Sequence, residues 1–257
     1  MGEFAANIGG HETLQAGVAE AMFLLGFEHN GDKVVASSFA PLLRNVHGTQ
    51  WAYDLINFNS SCLYTLPSYS MQVRKLLAGT VAGQLPRRIS CLSQLARHCL
   101  LQQRHLLEAS RTQLVLLPAS AFAYLNAASF SVNVRIQTML SQNLGEYSVD
   151  ATLSDDGVGG SRMASASIKG DMLIWKAANY GEQDLDAVLV TTGLKLKNGT
   201  VATLTTLTSA QGKDATNSFA EPNNVHPVTT KVSVAVENTL TVPMPPWSVV
   251  VVQVATA

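Results

Sequence analysis

The sequence predicts two fold classes in one chain, α/β and then all-β. Three observations carry this: a helix wedged between short apolar segments up to residue 72, strand-like runs from Thr138 onward, and a basic stretch between them that resembles neither. Segments apolar on both faces that flank a helix are the mark of parallel strands buried under helices. Short alternating runs punctuated by turn residues are the mark of an antiparallel sandwich or barrel.

In chain order, Gly2-Glu3-Phe4-Ala5 passes through the Gly9-Gly10 turn into a helix expected from about Glu12 to Leu25. Leu14, Val18, Ala21, Met22 and Leu25 form its apolar stripe. A buried strand is expected within Lys33 to Leu43, closed by Pro41, then a polar loop from Asn45 to Trp51 and a second helix or turn near Tyr69. Strands are then expected at Met163 to Lys169, Met172 to Asn179, Ala187 to Thr192, Val201 to Thr208, Val228 to Val236 and Ser248 to Val254. Asp155-Asp156-Gly157, Lys169-Gly170-Asp171, Asn198-Gly199 and Pro243 to Pro246 separate them. Leu173, Trp175 and Ala177 share one face of their strand, which places Trp175 in the core rather than on a carbohydrate-stacking surface.

The middle segment, Val73 to Gln137, holds eight of the seventeen Lys and Arg residues and one acid, Glu108, giving +7 against -8 for the remainder. It shows neither a helical nor a strand period. It reads either as a basic, partly helical insertion or as a retained intron, because a Val codon begins with GT, a Gln codon is CAG, and its length keeps the frame. The three expected divisions are therefore 1–72, 73–137 and 138–257. The middle segment is expected to make few contacts with the sandwich.

At 257 residues with 47% hydrophobic side chains, the chain can bury substantial cores. A net charge of -1 gives no reason to expect nucleic acid or an anionic membrane, and neutral ligands fit better. The arginines of the middle segment lack the aromatic stacking positions that single-stranded RNA binding uses. No apolar run reaches a membrane span, and the first residues lack the basic and apolar regions of a signal peptide. Cys62, Cys91 and Cys99 form no disulfide framework, and the six histidines show no metal spacing, so no cofactor and no metal are expected. Asn59-Ser60-Ser61 and Asn198-Gly199-Thr200 match the N-glycosylation sequon, which often arises by chance.

Four N-terminal stretches carry a resemblance. They are Gly2-Glu3-Phe4-Ala5-Ala6, Leu14 to Asn30 ending Leu25-Gly26-Phe27-Glu28-His29-Asn30, Val34 to Asn45 with Ala40-Pro41-Leu42, and Gly48-Thr49-Gln50-Trp51 through Asp54-Leu55-Ile56 and Asn59 to Pro67-Ser68-Tyr69. In this order they resemble the end of the catalytic barrel of α-L-arabinofuranosidases of glycoside hydrolase family 51. Asn217-Ser218-Phe219-Ala220-Glu221-Pro222, Val225-His226-Pro227 and Pro243-Met244-Pro245-Pro246-Trp247-Ser248 resemble that family's C-terminal domain. The resemblance covers everything except the basic segment. It implies the end of a (β/α)8 barrel followed by an antiparallel, jelly-roll-like β-sandwich.

It also implies a chemistry. Retaining glycosidases hold two carboxyl groups about 5–5.5 Å apart, one attacking the anomeric carbon and one protonating the leaving oxygen. The resemblance assigns the nucleophile to Glu3, at a strand end where barrel enzymes place catalytic residues. The family's usual Ser-Glu-Tyr-Ala stands here as Gly2-Glu3-Phe4-Ala5. The family's acid/base is a Glu following an Asn, and no Asn-Glu pair occurs in these residues, so the chain alone is expected to be inactive. Glu20 and Glu28 lie within the expected helix, on a solvated or ion-paired face. Trp51 is a candidate sugar-stacking wall, since an indole covers the apolar face of a pentose, though a rim-packing role explains it equally. Where the family has Pro two places after this Trp, Tyr53 stands instead. Asn45 and Gln50 are candidate partners for sugar hydroxyls. The implied substrate is an arabinose-containing polysaccharide or oligosaccharide, the implied location extracellular or cell wall, and a homo-oligomer of the complete enzyme stays open. The competing reading is a non-catalytic carbohydrate-binding or structural sandwich, which a row of exposed aromatic rings on one sheet would favour.

Overall fold

A computed structural model describes residues 2–6, 12–34, 36–40, 43–45, 56–58, 131–218 and 220–257. The described part is mostly β-sheet with few helices.

The N-terminal part is a strand–helix–strand unit. Strand β1 (Gly2–Phe4) pairs in parallel with β2 (Ser37–Phe39), with helix α1 (Leu14–His29) between them in sequence. Parallel neighbours require such a crossover, because the chain must return to the starting edge. Strands β3 (Leu43–Asn45) and β4 (Ile56–Phe58) form a second parallel pair. The strand expected across Lys33 to Leu43 is thus shorter, and the helix runs four residues past Leu25.

α1 has apolar side chains around most of its circumference because it packs on two sides. Phe23 and Phe27 meet Phe4 of β1, with ring centroids 5.5 and 5.8 Å from it, and Phe4 also meets Phe39 of β2 at 5.7 Å. Leu14, Val18, Ala21 and Leu25 are fully buried on the other side, against helix α2 (Val132–Gln142) and the large sheet. Each helix has an N-cap hydroxyl: Thr13 accepts from the Ala16 amide, and Ser131 from the Val134 amide. The first two amides of α1, Leu14 and Gln15, donate to the carbonyls of Ala215 and Lys213, so loop 209–217 closes the start of the helix.

α2 crosses the expected division at 137/138. The helix runs continuously through Gln137 and Thr138, and Val132 and Ile136 are fully buried in the α1 seam. A splice joining residue 72 to Thr138 would delete the first half of this helix and half of that seam. Residues 131–137 therefore belong to the fold, with residues 73–130 and the expected turn near Tyr69 outside the described residues.

The large sheet contains β5 (Tyr147–Val149), β6 (Arg162–Lys169), β7 (Met172–Asn179), β9 (Val201–Thr208), β10 (His226–Ser233) and β12 (Ser248–Ala255), in the order β10-β9-β12-β7-β6-β5 and antiparallel throughout. A second antiparallel pair, β8 (Leu185–Val190) with β11 (Thr239–Met244), covers one face. Leu240, Val242 and Met244 meet Leu173, Trp175, Ala177, Val250, Val252 and Val254 there. Trp175 is 5% exposed and faces this core as expected. The other face carries Ile174, Ala178, Leu207, Val249 and Val251 against α1 and α2. Gly145 sits where a Cβ would lie 2.4 Å from that of Ser167, so only glycine permits this approach of the α2–β5 connection to β6. No helix among the described residues is long and apolar enough to cross a membrane.

Candidate functional site

Glu3 is the central residue of β1, opposite Ser38 of β2. Neighbouring strand residues point to opposite faces, and Phe4 is committed to the α1 side by its ring contacts. Glu3 therefore faces away from the covering helix and is exposed. In a strand–helix–strand unit the face away from the helix is the one a closed barrel turns inward, and the end of β1 leading toward α1 is the end where barrel enzymes carry catalytic groups. Glu3 meets the first condition and lies one residue before that end of the strand.

The side chains of the other expected site residues lie outside the described residues. The backbone of Asn45 ends β3, opposite Phe58, and its side chain lies outside the described residues. Gln50 and Trp51 lie outside them altogether. Among the described residues no group of three or more His, Cys, Asp or Glu side chains is arranged to hold a metal ion.

Glu20 departs from expectation. Only 2% exposed, it lies in the α1–α2 seam, where Asn133 donates to its Oε2 at 2.6 Å and Gln137 donates to its Oε1. Burial outweighs these two donors and pushes its carboxyl from the ordinary 4.5 up to about 8. A carboxyl protonated in the fold but ionised in the unfolded chain contributes stability fully below pH 4.5 and loses it as pH rises through about 8. Urea unfolding followed by circular dichroism should thus lose up to about 1.4 kcal/mol per pH unit between those values relative to Glu20→Gln. A pH-independent difference between the two proteins would rule this out.

Glu28 is ion-paired, at the junction of α1 and the sheet. The Lys176 ammonium donates to both carboxylate oxygens, at 2.6 and 2.7 Å, and Ser165 and Ser167 of β6 donate at 3.0 and 3.3 Å. Lys176 is fully buried, and desolvation pulls its pKa below the ordinary 10.5 even though Glu28 opposes this. This network escaped the sequence reading, although a signal existed: Lys176 alternates with Ile174 and Ala178 on an apolar face, which demands a buried counter-charge.

A groove of about 450 Å³ runs between α1 and the segment before β6, lined by Met22, His29, Leu153, Asp156, Arg162 and Met163. It uses a different face of α1 from Phe23 and Phe27, and so stands apart from Glu3.

The motifs that carry the resemblance are structural staples. Asn217 donates to the Val225 carbonyl at 2.9 Å and accepts from its amide at 2.7 Å, closing the loop before β10. Trp247 adopts a φ of +49° and packs edge-on against Tyr180 at 4.8 Å, fixing the turn into β12.

Comparison with known proteins agrees with this arrangement. Residues 123–248 match the Alpha-L-arabinofuranosidase C-terminal domain family, a match that begins inside the segment expected to be an insert. Alpha-L-arabinofuranosidase 1 of Arabidopsis thaliana is 49% identical over 63 residues, 24% of this chain and 9% of that protein. An extracellular exo-alpha-L-arabinofuranosidase of Streptomyces chartreusis is 34% identical over 85 residues, 33% of this chain and 10% of that protein. These matches thus span about a tenth of each relative. An arabinose-bound family 51 α-L-arabinofuranosidase structure shares the fold with a TM-score of 0.61 and 21% identity, covering 96% of this chain and 28% of that one. Over these stretches the chain is thus similar to α-L-arabinofuranosidases, with residues 123–248 matching their C-terminal domain and the fold resembling that of a family 51 structure.

Proposed function

We propose that residues 1–72 are the end of a (β/α)8 catalytic barrel, that the strands from β5 onward form a jelly-roll-like β-sandwich, and that Glu3 is the nucleophile of a retaining glycosidase. The reaction is hydrolysis of terminal non-reducing α-L-arabinofuranosyl residues in arabinose-containing polysaccharides. The observation that carries this is Glu3 on the helix-free face of a short parallel strand, in a chain with these relatives. The carboxylate attacks the anomeric carbon from the face opposite the leaving oxygen. A general acid from outside this chain protonates that oxygen. Water then opens the glycosyl ester, so two displacements restore the starting configuration. Trp51, Gln50 and Asn45 remain the proposed sugar contacts, and an extracellular or cell-wall location is proposed in line with the name of the Streptomyces relative.

The binding-module alternative draws little support from the sheet surfaces. Trp175 and Trp247 are buried, and among the described strand residues of the sandwich Tyr147 is the exposed aromatic ring.

The test joins residues 1–257 behind the part of the Arabidopsis relative upstream of its match to this chain. This chimera should hydrolyse p-nitrophenyl α-L-arabinofuranoside and release the α-anomer first, as read by proton NMR before mutarotation, while residues 1–257 alone should release none. First release of the β-anomer, or turnover by the isolated chain, would refute the reading.

A further inference from the structure

We infer that Asn198 is an N-glycosylation site, a modification that the catalytic assignment neither requires nor supplies. The sequon Asn198-Gly199-Thr200 forms a type II turn in the β8–β9 connection. The Thr200 amide donates to the Lys197 carbonyl at 3.1 Å, and Gly199 takes the left-handed position at φ +82°. Lys197, Asn198 and Gly199 are exposed and Thr200 is half-exposed, so the acceptor amide stands clear of the protein surface. The turn is anchored from below. Gly199 donates to the Val234 carbonyl, Val234 donates to the Thr200 carbonyl, both at 2.9 Å, and Leu196 is fully buried beneath it. A branched glycan can therefore leave this point without displacing a packed side chain.

The location also separates the glycan from the proposed catalytic end. Loop 209–217, which closes the start of α1, follows the last residue of β9, whereas the turn immediately precedes its first. Eight extended residues separate the two by roughly 25 Å. Because α1 begins where β1 leads out of the unit, the mouth beside Glu3 lies toward the far end of that separation. Beside the turn, Val201 and Val236 are 56% and 62% exposed, and β10 is the edge strand of the large sheet. A glycan there would screen apolar surface and an open edge from self-association.

In the reaction, the Asn198 amide nitrogen attacks the anomeric carbon of a lipid-diphosphate-linked oligosaccharide. An N–C bond replaces the C–O bond, the lipid diphosphate leaves, and the amide proton passes to a base of the transferase. The Thr200 hydroxyl is the sequon's recognition element.

The test translates residues 1–257, behind a cleavable secretion leader, into eukaryotic microsomes, where transfer to the nascent chain does not depend on the finished fold. Enzymatic deglycosylation in heavy-oxygen water then marks each formerly occupied Asn as a labelled Asp, read in peptides by mass spectrometry as the excess over a sample incubated without the enzyme, because Asn198-Gly199 also deamidates spontaneously. The label should appear at 198 in the native sequence and in Thr200→Ser, and be lost in Thr200→Ala and Asn198→Gln. An unlabelled Asn198 in the native sequence, or a label surviving Thr200→Ala, would overturn the inference, and Asn59→Gln confirms that the signal belongs to position 198. The glycosylated native chain should also keep the urea midpoint of its enzymatically deglycosylated form. A lowered midpoint would show that the turn does not accommodate a glycan.

Discussion

Glu3→Ala in the chimera should lower turnover by about 10⁴-fold or more, the scale on which removing a covalent-catalysis nucleophile is felt. That is roughly 5 kcal/mol of transition-state stabilisation. The loss should fall on kcat with little change in KM, because the carboxylate forms its bond only along the reaction path. Azide offers a second readout. It is small enough to occupy the space left by the carboxylate and attacks the same face of the sugar, so added azide should restore turnover and yield β-arabinofuranosyl azide. Undiminished turnover in Glu3→Ala, or rescue giving the α-azide, would remove Glu3 from the mechanism.

Lys176→Met should lower the unfolding free energy of residues 1–257 by about 3–5 kcal/mol, read by urea unfolding. The substitution preserves the volume of the side chain but leaves the Glu28 carboxylate facing the sheet with only Ser165 and Ser167 as donors. The double variant Lys176→Met/Glu28→Leu should regain most of the loss. An apolar pair avoids the desolvation that the ion pair must offset, and swaps of this kind are often neutral or stabilising. Equal losses in the single and double variants would show that packing, rather than the unpaired charge, sets the cost. The pair also joins the two halves of the molecule, since Glu28 belongs to the helix that holds β1 and Lys176 to the large sheet. Hydrogen exchange in α1 should therefore rise in Lys176→Met before exchange in β12 does.

The sequence showed the strands best where alternation was strong and uninterrupted. Met172 to Asn179 and Val201 to Thr208 were found with their observed ends, because each alternates between the two cores and ends at a turn. β11 was missed because Pro243 reads as a breaker. It is tolerated because β11 is one member of a two-stranded pair with an open edge. β5 was missed because three residues hold too little periodicity. Glu20 reads as lying on a solvated or ion-paired face because its partners, Asn133 and Gln137, lie in the segment set aside as an insert. The small residues one turn earlier, Ala16 and Gly17, were the available sign that another helix approaches there: a Cβ on Gly17 would lie 2.8 Å from Ile136 Cδ1. The role proposed for Glu3 is legible only through the family resemblance. A three-residue strand has no pattern of its own, and the parallel partner that gives it a helix-free face lies more than thirty residues away.

The most direct measurement of the central claim is the mass of the peptide containing Glu3, taken from a rapidly quenched chimera whose general acid has been replaced by Gln. The substrate should be an arabinofuranoside with a leaving group good enough to depart unprotonated. Its first displacement then proceeds while the second, which needs the missing base, is slowed by about 10²–10⁴-fold. The account predicts that a pentosyl ester accumulates on Glu3. An ester on another carboxylate, or steady hydrolysis with inversion and no ester at all, would contradict it.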